Sequence, residues 1–372
     1  MSVKKGFGGL ALLGVFLIAL LLPVASITHA QPPGERRIYV ANSGSNSVTV
    51  IDPKQAAVLA TIPVGKEPHQ VLALAGGSRV YVGNYGEDTI SVVDGLGLRE
   101  ITRITVGRNP TRLAATPDGR FILANSFGEG TTSIIDAATN QVVAVVGQGS
   151  GRHGLVISPD GRFAFAVNNR SNDVSVIEVG AWQVVAAIPV GKEPFAAAIS
   201  PNGGTLYVAN SASNSVSAID ITSRAAIAEV PVGQKPLILA VTRDGRSVYA
   251  SNAGEGTVSV IDSAAHTVRE TFRVGGTPIG VGLAPDDGQL YVVDSSAGQL
   301  VVLDPSTGAI LARVPVGAKP IGLAGTVVMR GELPAQAPPQ LPQTGIGWPD
   351  SALWSALVGL VFLGAGLAIR RA

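Results

Sequence analysis

The sequence predicts an all-β fold: a seven-bladed β-propeller of four-stranded blades, its ring closed by the C-terminal strand joining the N-terminal blade. Three observations predict it. First, one pattern recurs seven times: a small-residue strand ending in Asn, a Val/Ser/Ile strand ending in Asp, then Val-Gly and usually Pro. Second, the spacing is regular. The Asn anchor falls at Asn42, Asn84, Asn125, Asn168, Asn210 and Asn252, with Asp294 in the seventh copy, at gaps of 42, 41, 43, 42, 42 and 42 residues. Strand-like units at a period of about 40–45 residues mark a propeller rather than a helical solenoid. Third, the strand count leaves a remainder at each end. The chain enters at a second strand, Arg37 to Asn42, and leaves an unpaired first strand, Ile321 to Val328. Placing that last strand inside the first blade completes the ring without a long exposed edge.

The second copy shows how one repeat makes a blade. His69 to Ala75 is a strand of small and apolar residues, Gly76-Gly77-Ser78 a turn, and Val80 to Asn84 a second strand. Thr89 to Asp94 and Glu100 to Val106 supply the third and fourth. Pro117-Asp118-Gly119, Pro159-Asp160-Gly161, Pro201-Asn202-Gly203 and Arg243-Asp244-Gly245 join first to second strands in other copies. Asp-Gly and Asn-Gly provide the positive φ such turns require. Third strands such as Val258-Ser259-Val260-Ile261 are almost continuously apolar, as a sheet covered on both faces demands.

Composition narrows function. Of 372 residues 14% are charged and 46% hydrophobic, and 46 Gly with 24 Pro indicate many tight turns. The two ends hold four of the 27 basic residues and one of the 26 acidic ones, so the middle is near neutral and has no basic surplus for nucleic acid. The absence of Cys excludes disulfides, Cys-ligated zinc, iron–sulfur clusters and Cys-attached haem.

Both ends read as address labels. Residues 1–30 have the form of a secretory signal peptide: Lys4 and Lys5, an apolar run from Phe7 to Leu22, Pro23, and small residues about Thr28-His29-Ala30. Residues 31–330 hold the propeller, and residues 331–340 (GELPAQAPPQ) a semi-extended Pro-rich spacer. Residues 341–372 begin with Leu341-Pro342-Gln343-Thr344-Gly345, continue with an apolar run from Ala352 to Ile369, and end on Arg370 and Arg371 before Ala372. This resembles the LPxTG sorting signal of Gram-positive wall proteins. The resemblance implies that sortase cleaves between Thr344 and Gly345 and joins the Thr344 carbonyl covalently to a peptidoglycan amine. The Arg pair stays cytoplasmic, the apolar run halts in the bilayer, and Pro342 keeps the pentapeptide extended outside it. The expected location is secreted and cell-wall anchored, on the extracellular face of a Gram-positive-type envelope.

The second strands Tyr39-Val40-Ala41-Asn42, Tyr81-Val82-Gly83-Asn84 and Tyr207-Val208-Ala209-Asn210, with Val190-Gly191-Lys192-Glu193-Pro194, resemble the YVTN repeat of surface-layer-type propellers. The resemblance spans about residues 36–328. It implies a seven-bladed propeller, exported or displayed, and transfers no catalytic residues.

No catalytic motif is found: no Gly-x-Ser-x-Gly elbow, HExxH, P-loop or EF-hand-like loop. The inner strands carry no Asp or Glu, so the central funnel lacks ligands for calcium or a general acid/base pair. No catalytic residue, metal or cofactor is expected. The residues just after the connecting prolines are read as the funnel rim: His69, Thr111, His153, Phe195, Leu237, Ile279 and Ile321. The candidate binding residues are His69, Thr111, Arg112, Arg152, His153 and Phe195, for an anion or a peptide. The repeated Asp and Asn residues are assigned to turns, the Asn for their tolerance of left-handed φ. The expected role is display of a non-enzymatic propeller that binds a surface glycan or protein, or serves a structural purpose. The alternative is a propeller hydrolase of lactonase type, motivated by His69, His153 and Arg112 near the funnel.

Overall fold

The computed structural model describes residues 35–147 and 149–328, with the backbone alone for Arg152 and residues 326–328. The expected signal peptide, spacer and sorting segment lie outside the described residues. Within the described residues twenty-eight strands form seven antiparallel four-stranded sheets. In blade 1 the order from the axis outward is Pro320–Val328, Glu35–Asn42, Ser47–Asp52, Ala57–Pro63. Each later blade uses four consecutive strands. The predicted closure is observed in register, from Glu35 opposite Val328 to Val40 opposite Leu323. Arg36 of blade 1 also reaches Asp286 of blade 7, at 2.5 Å. That pair is exposed and adds little beside the strand pairing.

The core lies between blades. Seven clusters of buried side chains are found, each shared by two neighbouring blades. The cluster at the seam joins Ile38, Val40 and Ile51 of blade 1 to Tyr291, Val293 and Leu300 of blade 7. Middle strands are therefore covered on both faces, and Val48, Val50 and Ile51 are at most 1% exposed. This is why their sequence is continuously apolar. Each fully buried aliphatic side chain contributes about 1.5–3 kcal/mol. Tyrosines tie blades together as well. Tyr39 Oη donates to the Gly95 carbonyl at 3.3 Å and Tyr249 Oη to that of Pro305 at 2.8 Å, each on the next blade.

Turn chemistry follows expectation for the Asp residues. Asp52, Asp94, Asp136, Asp262 and Asp304 each accept backbone N–H bonds from residues two and three positions on. The Gly of each Pro-Asp-Gly or Pro-Asn-Gly turn has φ near +70°.

The Asn residues are a correction. None of the six anchors has positive φ; that conformation falls four residues later, as at Asn46, Asp88 and Asn214. The anchors are fully buried. Asn210 Nδ2 donates to Ser215 at 3.1 Å and Ser217 at 2.8 Å, and Asn42, Asn84 and Asn252 repeat the bracket. The anchor thus locks second to third strand. It also explains the repeated Val-Gly: a Cβ on Gly191 would lie 2.6 Å from the Asn210 side chain.

The third anchor is likewise displaced by one residue. Ser126, not Asn125, pairs with Thr131 as Asn84 pairs with Thr89. The anchors therefore stand at 42, 84, 126, 168, 210, 252 and 294, a constant period of 42. A one-residue slip turns a strand side chain to the opposite face. Asn125 accordingly points at the next blade and donates to the Gly154 carbonyl at 2.7 Å. Ser126 Oγ and Thr131 Oγ1 are buried without a hydrogen-bond partner among the described residues. Substituting Ser126→Asn restores a donor opposite Thr131 and Ser133, and is expected to raise stability by about 1 kcal/mol in urea unfolding. An unchanged or lower midpoint would contradict the bracket.

Candidate binding site in the axial channel

The seven inner strands are Pro68–Ala73, Pro110–Ala115, Arg152–Ile157, Pro194–Ile199, Pro236–Val241, Pro278–Leu283 and Pro320–Val328. They surround the axis and enclose a cavity of about 390 Å³. Each begins with a break in pairing register. Pro68 pairs with Asn84, for example, and then Gln70, not His69, pairs with Gly83. Pro110 and Arg112 repeat this against Ser126 and Asn125. A bulge adds one unpaired residue and re-aims the side chains that follow.

That bulge corrects the expected rim. The residues directly after the prolines are mostly the bulged ones, and apart from Ile321 they do not line the cavity. The second residues do: Gln70, Arg112, Ala196, Ile238, Gly280 and Gly322. Among the candidate binding residues whose side chains are described, Arg112 is the one that lines the channel. Gln70, missed from the sequence, stands 42 positions before it. In blade 4 the corresponding residue is Gly154, where a Cβ would meet the Ala196 Cα at 2.7 Å. Arg152 occupies the position that is Pro in the other six inner strands.

The other candidates pack beside the channel. His69 stacks on Tyr85, with centroids 4.4 Å apart at an interplanar angle of 12°. His153 lies against Phe195 at 3.7 Å and edge-on to Phe127 at 6.0 Å. Thr111 is buried, and its Oγ1 donates to the His153 carbonyl at 3.2 Å. Arg112 lies over the Phe195 ring, its guanidinium carbon 5.8 Å from the centroid. His69, Thr111, Arg112, His153 and Phe195 thus stand close together, with Arg112 reaching inward and the aromatics behind it.

Electrostatics follow from burial without a counter-charge. Arg112 is 8% exposed and donates to Gln70 Oε1, a neutral acceptor. Among the described residues it has no ion-pair partner. Burial lowers its pKa to about 10. Burial, and then the Arg112 charge, lowers that of His69 to about 4. The same two causes, joined by His69, hold His153 well below its ordinary value. Nδ1 of His153 is buried with no hydrogen-bond partner among the described residues. Both imidazoles are neutral at pH 7.

A second cavity, of about 380 Å³, opens between blades 4 and 5 on the opposite face. Phe163 lies there between Arg162 and Arg224, 5.4 and 5.8 Å from its ring. Asp160 in that cavity is committed to its own turn through Ser158 and the Arg162 N–H. Among the described residues no three His, Asp or Glu side chains are grouped as metal ligands.

A family model described as a YNCE-like beta-propeller matches residues 67–237, blades 2 to 5 and the first residues of blade 6. The fold is a seven-bladed β-propeller. Solved structures agree at the level of fold. A functionally unknown protein from Desulfotomaculum acetoxidans is 17% identical, with a TM-score of 0.70 over 78% of this chain and 99% of that one. Hydrazine synthase of Kuenenia stuttgartiensis is 23% identical, with a TM-score of 0.62 over 68% and 88%. Dihydro-heme d1 dehydrogenase NirN, solved in complex with DHE, is 18% identical, with a TM-score of 0.61 over 80% and 76%. At these identities the likeness carries architecture and no activity. No protein of curated function matches the sequence.

Proposed function

We propose that the protein is a cell-wall-anchored surface protein that displays a non-enzymatic propeller for binding. The observation carrying this reading is the order of three elements at the C-terminus: Leu341-Pro342-Gln343-Thr344-Gly345, the apolar run from Ala352 to Ile369, and Arg370-Arg371. The apolar N-terminal segment supports it, because only an exported chain meets sortase. In this reading residues 331–340 hold the propeller away from its covalent attachment to peptidoglycan. The channel supports a binding role over hydrolysis. Its inner strands offer no carboxylate to hold a metal or act as a general base, and its histidines are neutral side chains packed against aromatics.

Mass spectrometry of peptides released from a muramidase-digested wall fraction tests the anchoring. The expected result is a C-terminal peptide ending at Thr344 and carrying a wall-derived amine adduct. A peptide running intact through Gly345 would contradict it.

A further inference from the structure

We infer that the axial channel is a binding site for a monocarboxylate with an apolar body, its carboxylate held by Arg112. The inference deepens the binding role proposed above and rests on that reading of the domain.

Arg112 is the starting point. A guanidinium carries five N–H donors and a permanent charge. Removing it from water without a counter-charge is costly, and chains normally place a carboxylate beside it. Here none of the seven inner strands contains Asp or Glu. Among the described residues the one polar side chain bonded to the guanidinium is Gln70, which satisfies part of the fork and none of the charge. No described side chain supplies the missing anion, and a bound ligand would.

The surroundings select its class. Arg112 and Gln70 are the polar members of a ring completed by Gly154, Ala196, Ile238, Gly280 and Gly322. The glycines let neighbouring inner strands approach closely, as at Gly154 and Gly322, and the cavity lies inside that ring. The walls beyond are aliphatic, including Leu72, Val156 and Leu239. A cavity of several hundred Å³ with mostly aliphatic side chains around it and one convergent polar pair has the form of a small-molecule site. One guanidinium balances one negative charge, and its planar fork matches a carboxylate in bidentate geometry. Phosphate carries more charge and needs more donors than the channel supplies. His69 and His153 are neutral and cannot add to the positive charge, which again favours a monoanion.

Hexanoate is a suitable probe, titrated calorimetrically into the full-length protein in a non-ionic detergent, beside hexanol and inorganic phosphate. The expected result is one hexanoate per chain, no saturable hexanol or phosphate binding, and at least tenfold weaker hexanoate binding by Arg112→Gln. Thermal unfolding shows whether that variant is folded. Arg112→Lys, which keeps the charge but not the fork, is expected to lie between the two. A second readout is independent of the variants: the imidazole NMR signals of His69 and His153 shift on hexanoate addition, and that of His266, on the far face, does not. Equal binding of hexanol, undiminished binding by a folded Arg112→Gln, or a shift of His266 alone would overturn the assignment. If wild type, but not Arg112→Gln, also hydrolyses a lactone to its carboxylate, the channel site stands and the non-enzymatic reading falls.

Discussion

Removing Pro320–Val328 is expected to unfold the whole propeller rather than its last segment. This strand is the innermost of blade 1, paired along its length with Glu35–Asn42. It also packs against the inner strands of blades 2 and 7. Its loss exposes the edge of Glu35–Asn42 and opens the seam where Ile38, Val40 and Tyr291 are buried. Several buried aliphatic side chains and a full strand ladder are lost together. A fall in Tm of about 10 °C or more, or loss of a cooperative transition, is expected in calorimetry of the truncated chain. Unchanged thermal unfolding would contradict ring closure.

The second large effect is a loss of stability in mild acid. His69 and His153 are neutral in the folded state, with His69 held at about 4 and His153 well below its ordinary value. An unfolded histidine titrates near 6.5. Below that pH the unfolded chain binds protons that the folded chain does not, so stability falls as pH drops from 6.5 toward 4. The groups that set this are Arg112 and the two imidazoles, one each on the inner strands of blades 2 to 4. At pH 5 His69 costs about 2 kcal/mol relative to pH 7, and His153 acts in the same direction. The exposed turn aspartates, whose pKa values are lowered, remain ionised across this window. The Tm of the wild type is therefore expected to fall by about 5 °C or more between pH 7 and pH 5. In the His69→Gln/His153→Gln variant most of that dependence disappears. An equally steep profile in the double variant would show that other groups are responsible.

Repetition made the architecture legible. Seven copies of one pattern, and a strand left over at each end, were enough to define blade count, strand count and closure. The Asp turns and the Gly turns were legible because their chemistry is local. What was not legible depended on register. Asn125 beside Ser126 offered two anchors in adjacent positions, and the familiar residue was the wrong one. Only pairing shows that Ser126 keeps the period of 42. The burial of the anchors was hidden too, since Asn at a strand end reads equally well as a turn residue. The bulge after each connecting residue had the largest consequence for the site. It displaced the rim from His69, Thr111, His153 and Phe195 to their neighbours, and so brought in Gln70 and singled out Arg112. No residue type announces such a bulge, because it arises where the connecting loop meets the Asn loop of the same face. The histidine and phenylalanine cluster was found by position but serves behind the guanidinium rather than in the channel.

The channel exists only if the two ends of the domain meet, and the chain allows a clean test because it has no cysteine. Ile38 and Gly325 face each other across the closing strands. Paired strand residues lie within disulfide reach, whereas a partner three residues away does not. On mild oxidation the Ile38→Cys/Gly325→Cys variant is predicted to form an intramolecular disulfide, seen as a faster monomer on a non-reducing gel. The Ile38→Cys/Ile321→Cys variant, whose second site lies farther still along the strand, is predicted to stay reduced. Free thiols in the first variant, or disulfides formed only between chains, would mean that the ring is open and that no axial channel is built.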